Sequence, residues 1–330
     1  MENFLTQLSR RPLLIILILL SGLFAGCEEA SIEPEANPDS LSWQKGKNEY
    51  NLMIDGFERN FIIHVPASYQ ENLAMPVVFM LHGSSGTGTK FHNISGWKEK
   101  GGAEGIITVF PTAMEYRLAV GRTSTKWGSR GLESELAVGE TVKDDVPFIE
   151  ELVRLVKISF NVDEKRIYIS GFSNGSGFVK SEIVPRMGET FAAANVTGGV
   201  GIPVSFPITG NRTMPVFNIS GSMDPKIFEN IGTNEELPLN AADIESHSFL
   251  WSSLTTMCDM LSLKTDYTEN PNIPLWNLMT FASRLSSNAS EYRFMMVKEM
   301  PHVYPNGGNN PRGVVAVDIL WPWFLEHQLN

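Results

Sequence analysis

The chain has 330 residues, a formal net charge of −11 and 19% charged residues. An acidic balance with no offsetting Lys/Arg cluster repels phosphate backbones and argues against nucleic acid as a partner. The two cysteines are Cys27, close to the N-terminus, and Cys258, so a mature chain processed near Cys27 can build neither an internal disulfide framework nor a thiolate metal site.

Arg10 and Arg11 precede an apolar run from Leu13 to Phe24, then Ala25-Gly26 and Cys27. This order predicts a cleaved signal segment over residues 1–26. The run is shorter than the roughly 20 apolar residues that a membrane helix needs. Leu23-Phe24-Ala25-Gly26-Cys27 resembles the bacterial lipobox, which makes Cys27 the expected lipid anchor of an exported cell-envelope lipoprotein. The neighbouring Glu28-Glu29 resembles surface-export signals of some outer-membrane lipoproteins, so the outer membrane is the expected location, with leaflet and face left open. Residues 27–44 carry four Glu and little apolar surface and read as an acidic flexible tether. Residues 45–330 fit one large α/β domain.

Two β-rich runs, Glu49 to Ile54 and Arg59 to Pro66, flank Asp55-Gly56 and predict an N-terminal antiparallel hairpin. Pro76 to Leu81 and Gly105 to Phe110 are continuous apolar runs, the pattern of parallel strands covered on both faces. Val146, Ile149, Leu152, Val153 and Val156 recur at helical spacing between Asp144 and Phe160. A short strand, Arg166 to Ser170, leads into a glycine-rich turn and a helix over Ser176 to Met187. Further strands are expected at Phe191 to Val196, Pro215 to Ser220 and Tyr292 to Val297, with a closing helix over Val314 to Glu326. This alternation predicts a mostly parallel, doubly wound sheet. Pro225 to Ser290, with an amphipathic stretch near Ala241 to Leu261, is expected to form helical excursions above the sheet that wall a cleft.

Gly171-Phe172-Ser173-Asn174-Gly175 places the Gly-x-Ser-x-Gly pattern between a predicted strand and a predicted helix, where the serine projects from a sharp turn. Glycines two residues before and after it remove side chains that would collide there. A serine hydroxyl needs a neighbouring base, and of the six histidines only His302 follows a strand in a Pro/Gly-rich loop C-terminal to the serine. Asp224, just beyond the strand ending at Ser220, is the candidate that fixes the imidazole tautomer. The backbone N–H of Asn174 and that of Ser84, in the loop Leu81-His82-Gly83-Ser84-Ser85-Gly86, are the candidate donors for a developing oxyanion. Trp127 and His82 are the candidate substrate-binding residues. If His302 is the base, activity should fall in acid as the imidazole takes up a proton.

These features resemble a family, the secreted α/β-hydrolases of polyhydroxybutyrate-depolymerase and feruloyl-esterase type. The likeness runs through Asp55-Gly56 with Arg59, Leu81-His82-Gly83, Trp127, Gly139-Glu140, Asp144-Asp145-Val146, Val162-Asp163 and Arg166-Ile167-Tyr168. It continues through the elbow, Ser220-Gly221-x-x-Asp224, Trp251 with Cys258, and His302 with Pro305 and Gly307-Gly308. The resemblance implies the α/β-hydrolase fold and ester hydrolysis through an acyl-serine, with no metal or organic cofactor. It departs at Cys258, which lacks the second cysteine that family members often pair with it, and at Ser176, where a glycine is usual. The expected substrates are feruloyl or acetyl esters of plant polysaccharide, with polyhydroxyalkanoates or peptides as alternatives. A non-catalytic glycan-binding surface lipoprotein would have eroded at least one of the three catalytic positions, whereas all three stand in order.

Overall fold

The computed structural model describes residues 39–199, 205–272, 274–283 and 290–330. The signal segment, Cys27 and the tether up to residue 38 lie outside the described residues. Among the described residues no helix is long and apolar enough to cross a membrane.

The end of the expected tether belongs to the folded body. Leu41 is buried and its N–H donates to Ser159 Oγ at 2.8 Å, while Trp43 packs edge-on against Tyr69 with ring centroids 5.0 Å apart. The apolar side chains at 41 and 43, sparse as they are, find a surface to cover.

The hairpin forms as expected from β1 (Gly46–Ile54) and β2 (Phe57–Val65), with Asp55 and Gly56 both at positive φ in the turn. It joins β3 (Met75–Leu81) through β4 (Ile107–Pro111). Between these two strands the chain crosses over by α1 (Gly88–Ile94) and α2 (Trp97–Glu104). A small separate ribbon, β5 (Met114–Arg117) and β6 (Thr123–Lys126), follows. Then come α3 (Val146–Ser159) and β7 (Val162–Phe172). After the elbow lie α4 (Asn174–Phe178), a π-helical turn over Val179–Ile183, α5 (Val184–Arg186) and β8 (Ala193–Thr197).

The C-terminal half adds β9 (Val216–Gly221), α6 (Pro225–Ile231), α7 (Ala241–Ser246) and α8 (Ser248–Met260). It closes with β10 (Leu263–Asn272), β11 (Trp276–Ser283), β12 (Glu291–Val297) and α9 (Ala316–Leu325). Apart from β5 and β6, the described strands form one ten-stranded sheet in the order β1-β2-β4-β3-β7-β8-β9-β12-β11-β10, parallel from β4 to β12 and antiparallel at both edges.

Continuous apolar strands are covered on both faces because successive side chains point opposite ways. On β3, Val77, Phe79 and Leu81 pack on the side of α3 and α8, whereas Val78 and Met80 pack with Trp97 of α2 and Leu320 and Phe324 of α9. One expectation fails in this region. The helical excursion ends at Met260, and Leu263 to Ser283 is a β-hairpin that widens the sheet. The outer strand β10 is almost wholly exposed, so its sequence carries no alternation from which a strand could be read.

Candidate active site

Four loops converge at the carboxyl ends of neighbouring parallel strands, the place where open α/β sheets assemble their sites. Ser173 follows β7, residues 83–86 follow β3, Asp224 follows β9 and His302 follows β12.

Ser173 has φ 52° and ψ −117°, a conformation that side chains rarely adopt and that pushes the hydroxyl out of the turn. The flanking glycines make it possible. A Cβ on Gly171 would sit 2.5 Å from the Gly175 carbonyl oxygen, and one on Gly175 would sit 2.5 Å from the His82 carbonyl oxygen. The turn is anchored where Ser173 N–H donates to Thr197 O at 2.9 Å.

His302 Nε2 lies 2.8 Å from Ser173 Oγ, and its Nδ1 lies 2.8 Å from Asp224 Oδ2. The carboxylate fixes the proton on Nδ1 and leaves Nε2 free to accept the serine proton. Asp224 is 1% exposed. Its other oxygen, Oδ1, accepts the N–H of Lys226 at 2.8 Å and so caps α6. The aspartate thus orients the imidazole with one oxygen and caps the helix with the other. The three candidates separated by 129 and 78 positions thus meet as one hydrogen-bonded chain.

Two further candidates are placed differently from expectation. Trp127 is fully buried, stacked on Phe178, and its Nε1–H donates to His82 O at 2.9 Å. It supports the site from beneath and does not line the cleft. His82 is also fully buried. Its Nε2 accepts the N–H of Ala113 at 3.0 Å, so Nδ1 carries the proton and donates to Gly83 O at 2.7 Å. Burial lowers its pKa to about 4. A ring with both nitrogens committed internally holds the loop and has none to offer a substrate.

The proposed oxyanion donors border the nucleophile. Asn174 opens α4, so its backbone N–H has no partner within the helix. The loop of Ser84 crowds the elbow, where a Cβ on Gly83 would lie 2.9 Å from Ser173 Cβ. Ser84 itself is exposed and lines a cavity of about 160 Å³ together with Phe172 and His302. Among the described residues this cavity is bounded by the segments around residues 83–94, 172 and 302–309, and none of residues 225–290 lines it.

Sequence reasoning missed three contributors. The side chain of Asn174 accepts the Trp127 N–H at 2.7 Å and donates to Trp127 O and Ser129 Oγ at 3.2 and 3.1 Å. Gly198, at φ +63°, would carry its Cβ 3.1 Å from His302 Cε1. The pair Gly198-Gly199 directly after β8 was the available signal. Arg59 and Asp145 form a buried ion pair at 2.7 Å, and Asp145 Oδ2 also accepts the Gly128 N–H at 2.8 Å. That pair braces the segment carrying Trp127. The departure at Ser176 is accommodated locally, since a Cβ on Gly199 would fall 1.9 Å from Ser176 Oγ.

Among the described residues, Glu291, Glu326 and His327 have the spacing of metal ligands. They lie at the start of β12, the opposite end of the strand from His302, and Arg293 already pairs with both carboxylates at 2.9 and 2.6 Å. Their donor set is spent on cations and N–H groups of the protein.

The chain is similar to several known proteins. Residues 54–179 match the model of the Esterase family, described as "Putative esterase". Over 224 residues, 67% of this chain, the sequence is 23% identical to the bifunctional acetylxylan esterase/xylanase XynS20E of Neocallimastix patriciarum. The chain spans only 28% of that relative's length. Among solved structures it resembles an acetyl xylan esterase from Aspergillus awamori, with a TM-score of 0.55, 12% identity, and coverage of 84% of this chain and 99% of that one. It also resembles an S-formylglutathione hydrolase from Agrobacterium tumefaciens, with a TM-score of 0.53, 14% identity, and coverage of 86% and 95%. The fold is that of an α/β-hydrolase.

Proposed function

We propose that the chain is a serine carboxylic-ester hydrolase that acts on acetyl or feruloyl esters of plant polysaccharide. The observation that carries the reading is His302 placed 2.8 Å from both Ser173 Oγ and Asp224 Oδ2. In the proposed reaction His302 Nε2 takes the Ser173 proton as the oxygen attacks the ester carbon, and the N–H groups of Asn174 and Ser84 receive the oxyanion. Collapse expels the alcohol with the proton held on His302, and water then releases the acyl group from Ser173 by the same route. The acetyl ester preference draws on the likeness to the acetylxylan esterase/xylanase and to the acetyl xylan esterase. We further propose export and anchoring through Cys27, which suits an enzyme working on polymer fragments outside the cytoplasm.

Hydrolysis of p-nitrophenyl acetate by the wild type and by Ser173→Ala tests the reaction class, and equal rates would remove it. A panel of acetylated, feruloylated and hydroxybutyrate esters, ranked by kcat/KM, tests the substrate. Incorporation of labelled palmitate in cells, lost in Cys27→Ala, tests the anchor.

A further inference from the structure

The 160 Å³ cavity beside the site has walls and a mouth of different chemistry. Its walls are Phe91, Phe172, Tyr304 and Val303, with Phe91 and Phe172 ring centroids 5.9 Å apart and Phe172 5.0 Å from the His302 ring. At its rim stands Lys90, exposed on α1. Among the described residues the Lys90 ammonium meets no acidic or hydrogen-bonding partner, while its backbone N–H donates to Thr87 Oγ1 at 3.1 Å. Among the described residues lining the cavity it is the one Lys or Arg, in a chain of net charge −11.

The direction in which the leaving group departs decides what enters this cavity. Once Ser173 has attacked, the ester oxygen must face His302 to receive its proton, so the alcohol extends past the imidazole. The cavity is bounded by the His302 ring on one side and by Ser84, on the oxyanion loop, on another. Resting on the proposed hydrolase activity, we infer that this cavity receives the leaving alcohol and that Lys90 selects alcohols or phenols with an apolar body and an anionic group at the far end. Aromatic and aliphatic walls remove the body from water, and the ammonium meets the carboxylate where it re-enters solvent. Besides the polysaccharide esters proposed above, the site then takes esters whose leaving group is an aryl or hydroxy acid.

The test compares kcat/KM for three esters: phenyl acetate, 4-acetoxybenzoate with its carboxylate on the leaving phenol, and phenyl hydrogen succinate with its carboxylate on the acyl side. Lys90→Met and Lys90→Arg keep a good helix former on the exposed face of α1. The ratio of 4-acetoxybenzoate to phenyl acetate should fall roughly fivefold in Lys90→Met, the scale of one exposed charge pair. It should fall further in Lys90→Glu, hold in Lys90→Arg, and shrink with added salt in the wild type. A ratio unmoved by these changes overturns the inference while leaving the hydrolase reading intact. A fall confined to the succinate ester overturns it too, by placing the acyl group in the cavity. Hydrolysis of phenyl acetate no faster than by Ser173→Ala overturns both.

Discussion

The Asn174 side chain and the Trp127 backbone hold each other at two points, through Trp127 N–H to Oδ1 at 2.7 Å and Nδ2–H to Trp127 O at 3.2 Å. The residue that follows Ser173 therefore clamps the loop that supports it, while its own backbone N–H has no partner within α4. Asn174→Ala should retain that N–H yet lower kcat/KM by about 10- to 100-fold, since small displacements of a reacting group are costly. Asn174→Asp keeps the acceptor alone and should fall between. Steady-state kinetics on p-nitrophenyl acetate decide it, and a fully active Asn174→Ala would reduce the clamp to packing.

Asp224 serves His302 with one oxygen and α6 with the other. Asn remains a good helix cap but cannot hold the imidazole in its working tautomer. Asp224→Asn should lose about 10⁴-fold in kcat with its melting temperature nearly unchanged. Asp224→Ala should lose the cap as well, about 1 kcal/mol of stability. Paired kinetics and thermal melts separate the roles, and equal melting temperatures for the two variants would show that the cap contributes nothing.

Gly198 is a steric test of the same imidazole. Ala at that position would meet both a left-handed backbone and a Cβ 3.1 Å from His302 Cε1 and 3.2 Å from Phe172 Cε2. Gly198→Ala should cost about 1–2 kcal/mol for the backbone alone and lower kcat more than it raises KM. A variant with wild-type kcat would show that the ring yields without consequence.

Acid should weaken the fold through His82. The ring must stay neutral to accept the Ala113 N–H, and burial lowers its pKa to about 4, against about 6.5 in an unfolded chain. Between those values the unfolded chain binds more protons, so stability is lost as pH falls from about 6.5 towards 4, by up to about 3 kcal/mol. His64, partly buried, and His92, buried, lie 3.1 Å apart, are lowered by burial as well and act in the same direction. The discriminating measurement is the difference in urea midpoint between pH 7.5 and 4.5, which should be smaller in His82→Gln. The same difference in both proteins would remove His82 as the cause.

The central strands and the meeting of Ser173, Asp224 and His302 at their ends were legible in the sequence because each announces itself locally. Continuous apolar runs such as Pro76 to Leu81 have few alternatives to a strand buried on both faces, and Gly171 and Gly175 are forced by the crowding that the structure measures. What stayed hidden depends on partners distant in the chain. Trp127 and His82 look like cleft residues by type, yet their polar atoms are satisfied by backbone groups that no spacing foretells. The Arg59–Asp145 pair is written 86 positions apart and emerges only when β2 and α3 pack. β10 was taken for part of a helical excursion because an outermost strand can be polar on both faces.

That outermost strand has a consequence for life at high concentration. A wide sheet ends in a row of backbone groups able to recruit the same row on another molecule. On β10 this row is interrupted by Pro271, which has no N–H to give, by a shift in register between Leu263 and Tyr267, and by the exposed charges of Lys264, Asp266 and Glu269. The polarity that concealed the strand in the sequence also makes that row a poor template for a second copy.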